Sequence, residues 1–304
     1  TSLGKTYLIQ LIGILLLLLL PIRKILISYL ALVIALLSIV SPVFQSHGSA
    51  TGNHGLAIGS QVFHVIAICF WVGGLFGLTQ LDKNQKVIAL PRFSAIALWS
   101  AIAVAVSGAA TAFTRLDSIS DWQSKYGAIT ILKIFLTTIL IGFGAIHRRW
   151  IISSELPSVF RLITAEIAIM FGTLFVGSWL STVAPPAKKI TTTSSVVVSG
   201  IELPPEPTIS RILFSYEIDG LMLGLLIFAV ALYIKGVIIL SRRGIKWPVG
   251  RTVSFALGIG AVNFATSGGL GLYSHFSFSA HMSAHMIIGM IAPIGIVLGA
   301  PITL

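Results

Sequence analysis

Residues 212–240 read ILFSYEIDGLMLGLLIFAVALYIKGVIIL, and this run decides the fold class. A bilayer core of about 30 Å needs roughly 20 apolar residues of helix. The stretch is long enough, and its acidic residues gather at one end, at Glu217 and Asp219. The same pattern recurs on both sides of it. Nine candidate spans are read: Tyr7–Leu20, Ile25–Phe44, Ala57–Thr79, Phe93–Phe113, Gly127–Ile146, Leu162–Val183, Ile212–Leu240, Val253–Leu270 and Met282–Leu304. Strand-type alternation, which a membrane barrel requires, is absent. The expected fold class is all-α, a polytopic transmembrane helical bundle of about nine spans in two modules.

Composition agrees. Of 304 residues, 56% are hydrophobic and only 10% charged, too little polar surface to cover a water-soluble globule. The net charge of +11 would suggest nucleic acid in a soluble chain. Here it sorts by loop. With the Pro21–Lys24 turn on the cytoplasmic side, the loops of that side carry thirteen Lys and Arg and the opposite loops six. That is the positive-inside bias of a membrane protein, and it leaves no role for nucleic acid. The single cysteine, Cys69, excludes an internal disulfide and any cysteine-cluster metal site.

The segment Ala184–Ser210 is rich in Pro, Ser and Thr and reads as an outer linker. The expected domains are therefore 1–187, a linker at 188–210, and 211–304. The chain starts without a methionine and stops within an apolar run, so it reads as a segment of something longer.

On this topology six of the seven histidines fall on the outer side: His47, His54, His64, His275, His281 and His285. His147 alone is cytoplasmic. Imidazole is the commonest protein ligand for transition metals. His47 and His54 sit in a loop of small residues, Ser46–Gly55, whose backbone admits close approach of a ligand. His64 lies inside a span, roughly 10 Å from its outer edge, where an ionisable side chain marks a functional position. His281 and His285 are four residues apart, on one helix face, at the spacing that lets two imidazoles grip one ion. Met282, Met286 and Met290 form an adjacent stripe; thioethers are soft ligands that favour copper(I). A Met stripe is also ordinary packing, and outer loops tolerate polar residues of any kind. His275 is expected only to support the others.

Other features are weaker. Gly73 and Gly77 have the spacing of close helix contact. Lys133 and Glu166 lie within spans, their backbones roughly 15 Å apart in depth. Each can snorkel to its own interface, or the two can mark a polar path. Glu217 and Asp219 are candidate oxygen ligands or interface markers. No nucleophile with a base, no phosphate loop and no HExxH occurs, so the expectation is a protein that is not an enzyme.

Two family resemblances follow. The first part resembles the copper resistance D (CopD) family of bacterial inner-membrane proteins, over about residues 25–187. The similarity runs through His47, His54-Gly55-Leu56-Ala57, His64-Val65-Ile66-Ala67, Trp71-Val72-Gly73-Gly74-Leu75, Arg92-Phe93-Ser94, Ser107-Gly108, Tyr126-Gly127, Lys133, His147-Arg148-Arg149, Arg161-Leu162 and Glu166. The second part resembles the amino-terminal portion of the CtaG-type cytochrome c oxidase assembly family, over about residues 210–304. It does so through Arg242-Arg243-Gly244, Trp247-Pro248-Val249-Gly250-Arg251, Phe276 to Met282, His285-Met286, Pro293 and Leu298 to Leu304. The rest of that second domain would lie beyond Leu304.

The resemblances imply a copper-handling protein of the bacterial plasma membrane, with its histidine-rich face extracytoplasmic. It would bind copper, as Cu(I) or Cu(II), for transport or for delivery to oxidase assembly. The implied ligands are His47, His54, His64, His281 and His285, with Met282 and Met286 as softer candidates. The implied partners are membrane lipid, cytochrome c oxidase or other respiratory-complex subunits, and extracytoplasmic copper chaperones. The rivals are a haem-binding membrane protein, with His64 as an axial ligand, and a structural subunit of a respiratory complex whose histidines are passive.

Overall fold

The computed structural model describes residues 2–21, 24–45, 54–116, 118–153, 156–186 and 203–304. Among them every regular element is helical, and the one isolated β-bridge pairs Tyr216 with Gly268. The chain is an all-α polytopic membrane protein. Its helices are α1 Ser2–Leu19, α2 Ile25–Val40, α3 His54–Thr79, α4 Lys83–Arg115, α5 Ile119–Trp122, α6 Lys125–Ser153 and α7 Leu156–Thr182. They continue with α8 Ile209–Phe214, α9 Gly220–Arg242, α10 Val249–Thr266, α11 Gly269–Ser274, α12 Phe278–Met286 and α13 Ala292–Leu298. Among the described residues, six helical stretches are long and apolar enough to cross a membrane: Gly55–Thr79, Asn84–Arg115, Lys125–Ile146, Ala165–Thr182, Gly220–Arg242 and Phe278–Thr303. Two more apolar helices, Gly4–Leu19 and Ile25–Val40, are shorter.

The run 212–240 is not one helix. α8 ends at Phe214, and α9 starts only at Gly220. The cause is Asp219. Its Oδ1 accepts from the backbone N–H groups of Leu221 and Met222, both at 2.9 Å, so it caps α9. At the other end of α9, the Ile245 N–H donates to the Leu240 carbonyl at 3.1 Å, across a Gly244 with φ +77°. This is a Schellman-type stop, and it needs a residue at ease in the left-handed region. Space around Gly244 is open. Gly244→Ala is therefore expected to cost only backbone strain, about 1 kcal/mol, read as a lower thermal midpoint in detergent.

The chain forms two compact units: Thr1–His47 with Ser60–Lys189, and Gly48–Gly59 with Ile190–Leu304. In the first, α3, α4, α6 and α7 enclose a core of Ala67, Trp71, Leu75, Ala101, Val104, Leu140 and Met170. Asp82 and Gln85 form a capping box that starts α4. The expected close approach at Gly73 and Gly77 does not occur: a Cβ at either would meet nothing within 4 Å. Gly74 is the crowded position, with the ring of Phe93 set directly over it. Trp71 fills the core instead, and Cys69 lies on the exposed face of α3.

In the second unit, α10 packs on α13 through glycine. A Cβ at Gly258 would stand 2.6 Å from the Ile296 nitrogen and 2.9 Å from the Ala292 carbonyl oxygen. Beside this seam Tyr233 stacks on Phe255, with ring centroids 4.0 Å apart, and its hydroxyl donates to the Gly299 carbonyl at 3.0 Å. Trp247 Nε1 donates to the same Tyr233 hydroxyl, and the Arg251 guanidinium lies over the Trp247 ring. Most of the expected linker lies outside the described residues. Its described end is fastened to this unit, where the Tyr273 hydroxyl donates to the Pro205 carbonyl at 2.8 Å.

Candidate functional site

The sharpest expectation concerned α12. His281 and His285 face each other along its exposed side, with Nε2 to Nε2 at 3.0 Å and ring centroids 4.5 Å apart. A hydrogen bond of that kind requires one protonated and one bare Nε2. A metal ion can replace the shared proton. Two imidazole nitrogens at 2.0–2.1 Å from a tetrahedral ion stand about 3.3 Å apart, so a small opening of the pair suffices. Met282 and Met286 are 42% and 55% exposed, so their thioethers are not consumed by the core. Met290 differs. Residues Ile287–Ile291 form a π-helical turn between α12 and α13. This wider turn takes Met290 out of α-helical register with the other two methionines.

Among the described residues, no three His, Cys, Asp or Glu side chains group closely enough to hold a metal ion. The His281–His285 pair therefore needs its remaining ligands from thioethers or from elsewhere. His47 lies outside the described residues. His54 opens α3, and its turn clusters with the second unit rather than the first; its side chain lies outside the described residues. His275 is exposed at the end of α11.

Glu217 sits between α8 and α9, outside the apolar helices. Burial raises its carboxyl above the ordinary value; His275 opposes the shift and Asp219 adds to it. A raised folded-state value means that its stabilising contribution is present below the unfolded pKa, about 4.3. That contribution is lost as pH rises through the folded value. Glu217→Gln is expected to raise the thermal midpoint at neutral pH and to flatten its fall above about pH 4. A pH series of melting curves for both proteins checks this.

His64 is in the first unit and is 6% exposed. Its Nδ1 lies 3.0 Å from Ser107 Oγ, and its Nε2 is buried without a hydrogen-bond partner among the described residues. Gly108 lies beside the ring, where a Cβ would be in ordinary contact with His64 Cε1 at 3.6 Å. His64 lines a cavity of about 230 Å³ together with Gln61, Lys133, Thr137, Met170 and Thr173 among others. Lys133 thus faces a cavity rather than an interface. Glu166 is 2% exposed and so does not snorkel to an interface either. Met170 was not singled out in the sequence, where a lone methionine in an apolar run carries no signal.

Comparison with known proteins follows the same division. Residues 87–180 match the family copper resistance protein D. Residues 231–304 match the family cytochrome c oxidase caa3 assembly factor (Caa3_CtaG). One chain thus carries a match to each of the two families. The first match includes Lys133, Glu166 and Met170; the second includes His281 and His285. An uncharacterized protein of Mycobacterium bovis is 39% identical over 108 residues, which is 36% of this chain and 16% of that protein. An uncharacterized protein of Mycobacterium tuberculosis gives the same figures, and one of Mycobacterium leprae is 38% identical over the same length. The chain thus covers 16% of the length of these relatives. No solved structure matches it.

Proposed function

We propose that the protein handles copper in the bacterial plasma membrane. It takes the ion on its extracytoplasmic face and passes it toward cytochrome c oxidase assembly. The observation that carries this reading is the His281–His285 pair, two exposed imidazoles with Nε2 atoms 3.0 Å apart, on the segment that matches the oxidase assembly family. Copper is cargo here, and no bond in it is made or broken covalently. Ligand exchange between sites of low coordination moves it, and the protein is not an enzyme.

His281 and His285 hold the ion, and Met282 and Met286 supply soft sulfur donors that favour Cu(I). His47, His54 and His64 provide further ligands along the way. The partners are membrane lipid, an extracytoplasmic copper chaperone as donor, and an oxidase or other respiratory-complex subunit as acceptor. A haem at His64 is disfavoured, because the cavity there holds one histidine and about 230 Å³, less than the 300 Å³ or so where ligand pockets begin.

Copper X-ray absorption on the purified, copper-loaded chain tests the ligand set. Nitrogen scatterers near 2.0 Å with at least one sulfur near 2.3 Å, distances typical of imidazole and sulfur ligands, are expected. The sulfur shell should weaken in a Met282→Leu, Met286→Leu variant. A shell of oxygen alone, or one that the Met substitutions leave unchanged, counts against the assignment.

A further inference from the structure

The cavity at His64 is chemically two-sided. Ser107 Oγ donates its one proton to the Ala103 carbonyl. It can therefore only accept from His64 Nδ1, so Nδ1 carries the imidazole proton and Nε2 carries the lone pair. That lone pair is buried without a partner. This is the arrangement of a metal-binding histidine, whose other nitrogen is anchored by a hydrogen bond. The Thr137 and Thr173 hydroxyls donate to the carbonyls of Lys133 and Ile169, both at 2.8 Å, so they too turn only lone pairs toward neighbours. Met170, 3% exposed, adds a thioether to the lining.

Against these electron donors stands one cation. The Lys133 ammonium carries three donors and no acceptor. No hydrogen bond or ion pair engages it among the described residues. Gly177 stands beside it: a Cβ there would lie at ordinary contact distance, 3.6 Å from Nζ. A charge withdrawn from water without a partner is costly. A bare copper ion in the cavity would be repelled by Lys133, and a bare anion would meet the lone pairs of His64, Thr137 and Thr173. A neutral pair meets both demands.

We propose that the cavity accepts copper(I) together with a small monovalent anion of the halide class. His64 Nε2 and Met170 take the metal, and the Lys133 ammonium takes the anion. Pairing removes the net charge from the ion in transit and so lowers the cost of placing it in a low-dielectric interior. The inference rests on the copper reading, but at a site separate from the His281–His285 pair.

The test uses the full chain in lipid nanodiscs, with His47→Ala, His54→Ala, His281→Ala, His285→Ala, Met282→Leu and Met286→Leu as background so that only the cavity is read. Free copper(I) is held constant by a chromophoric chelator while chloride replaces methanesulfonate at fixed ionic strength. Copper affinity is expected to rise about tenfold for a tenfold rise in chloride, as one bound anion per ion requires. His64→Gln should abolish binding, and Lys133→Met should abolish the chloride dependence. With bromide in place of chloride, copper X-ray absorption should show a halide scatterer that Lys133→Met lacks. Size-exclusion profiles confirm that each variant is folded, and the milder His64→Asn and Lys133→Gln stand in for any that is not. Chloride-independent copper binding that still needs His64 would overturn the anion and leave copper in the cavity. No His64-dependent binding at any chloride concentration would overturn the cavity site. If the parent chain binds no copper either, the functional reading falls with it.

Discussion

Gly258→Leu is expected to unfold or misassemble the second unit, while Gly260→Leu, two residues along the same helix, is expected to be nearly silent. The contrast follows from what each side chain would meet. At Gly258 a Cβ would stand 2.6 Å from the Ile296 nitrogen and 2.9 Å from the Ala292 carbonyl oxygen. Both are backbone, so no side-chain rotation relieves the clash. The partner surface is equally tight: Ala292 is fully buried, and a Cβ at Gly295 would reach the Gly258 Cα at 2.8 Å. Membrane helices gain most of their association from such close packing, because lipid is as apolar as leucine. Separating α10 from α13 forfeits that packing and strains the Tyr233–Gly299 hydrogen bond beside it. Overpacking typically costs 1–3 kcal/mol; with backbone on both sides, about 3 kcal/mol or more is expected. At Gly260 nothing lies within 4 Å, and a leucine there improves helix propensity. Thermal unfolding followed by circular dichroism in detergent separates the two variants. Equal midpoints for both would show that the glycine seam does not hold the unit together.

Much of this architecture is legible in the sequence, and the exceptions have physical causes. Apolar runs between basic loops mark the spans, because a bilayer demands about 20 apolar residues whatever the tertiary context. The break at 215–219 was hidden by the apolar residues on both sides of it. Its signal, an Asp directly before Gly220, is a capping signal rather than the ligand signal it resembled. Gly73 and Gly77 have the spacing of a helix contact but not the neighbour, and spacing alone cannot name the partner. At the site, His281 and His285 were legible because their contact is local to one helix. The His64–Ser107 contact spans 43 residues and two helices, so only the fold brings it together. The sequence mark of the π-helical turn that displaces Met290 is indirect: Pro293, two residues beyond it, has no N–H to donate to the Gly289 carbonyl.

A clear fall in bound copper in a His281→Ala, His285→Ala double variant is the second large effect expected. Each imidazole alone is a weak monodentate ligand, and the strength of the site comes from the pair held by one rigid helix at 3.0 Å. Removing one histidine leaves a ligand without its chelate partner, so the single variants should lose most of the binding that the double variant loses. The fold should survive, because both side chains are exposed and the buried contacts of α12 come from Ala280 and Ala284. The comparison with the greatest power is therefore copper content per chain, by elemental analysis of the purified full chain and the double variant loaded in parallel. The expected result is copper in the parent and a clear fall in a variant with an unchanged melting curve; no copper in the parent, or equal copper in both, would contradict the assignment.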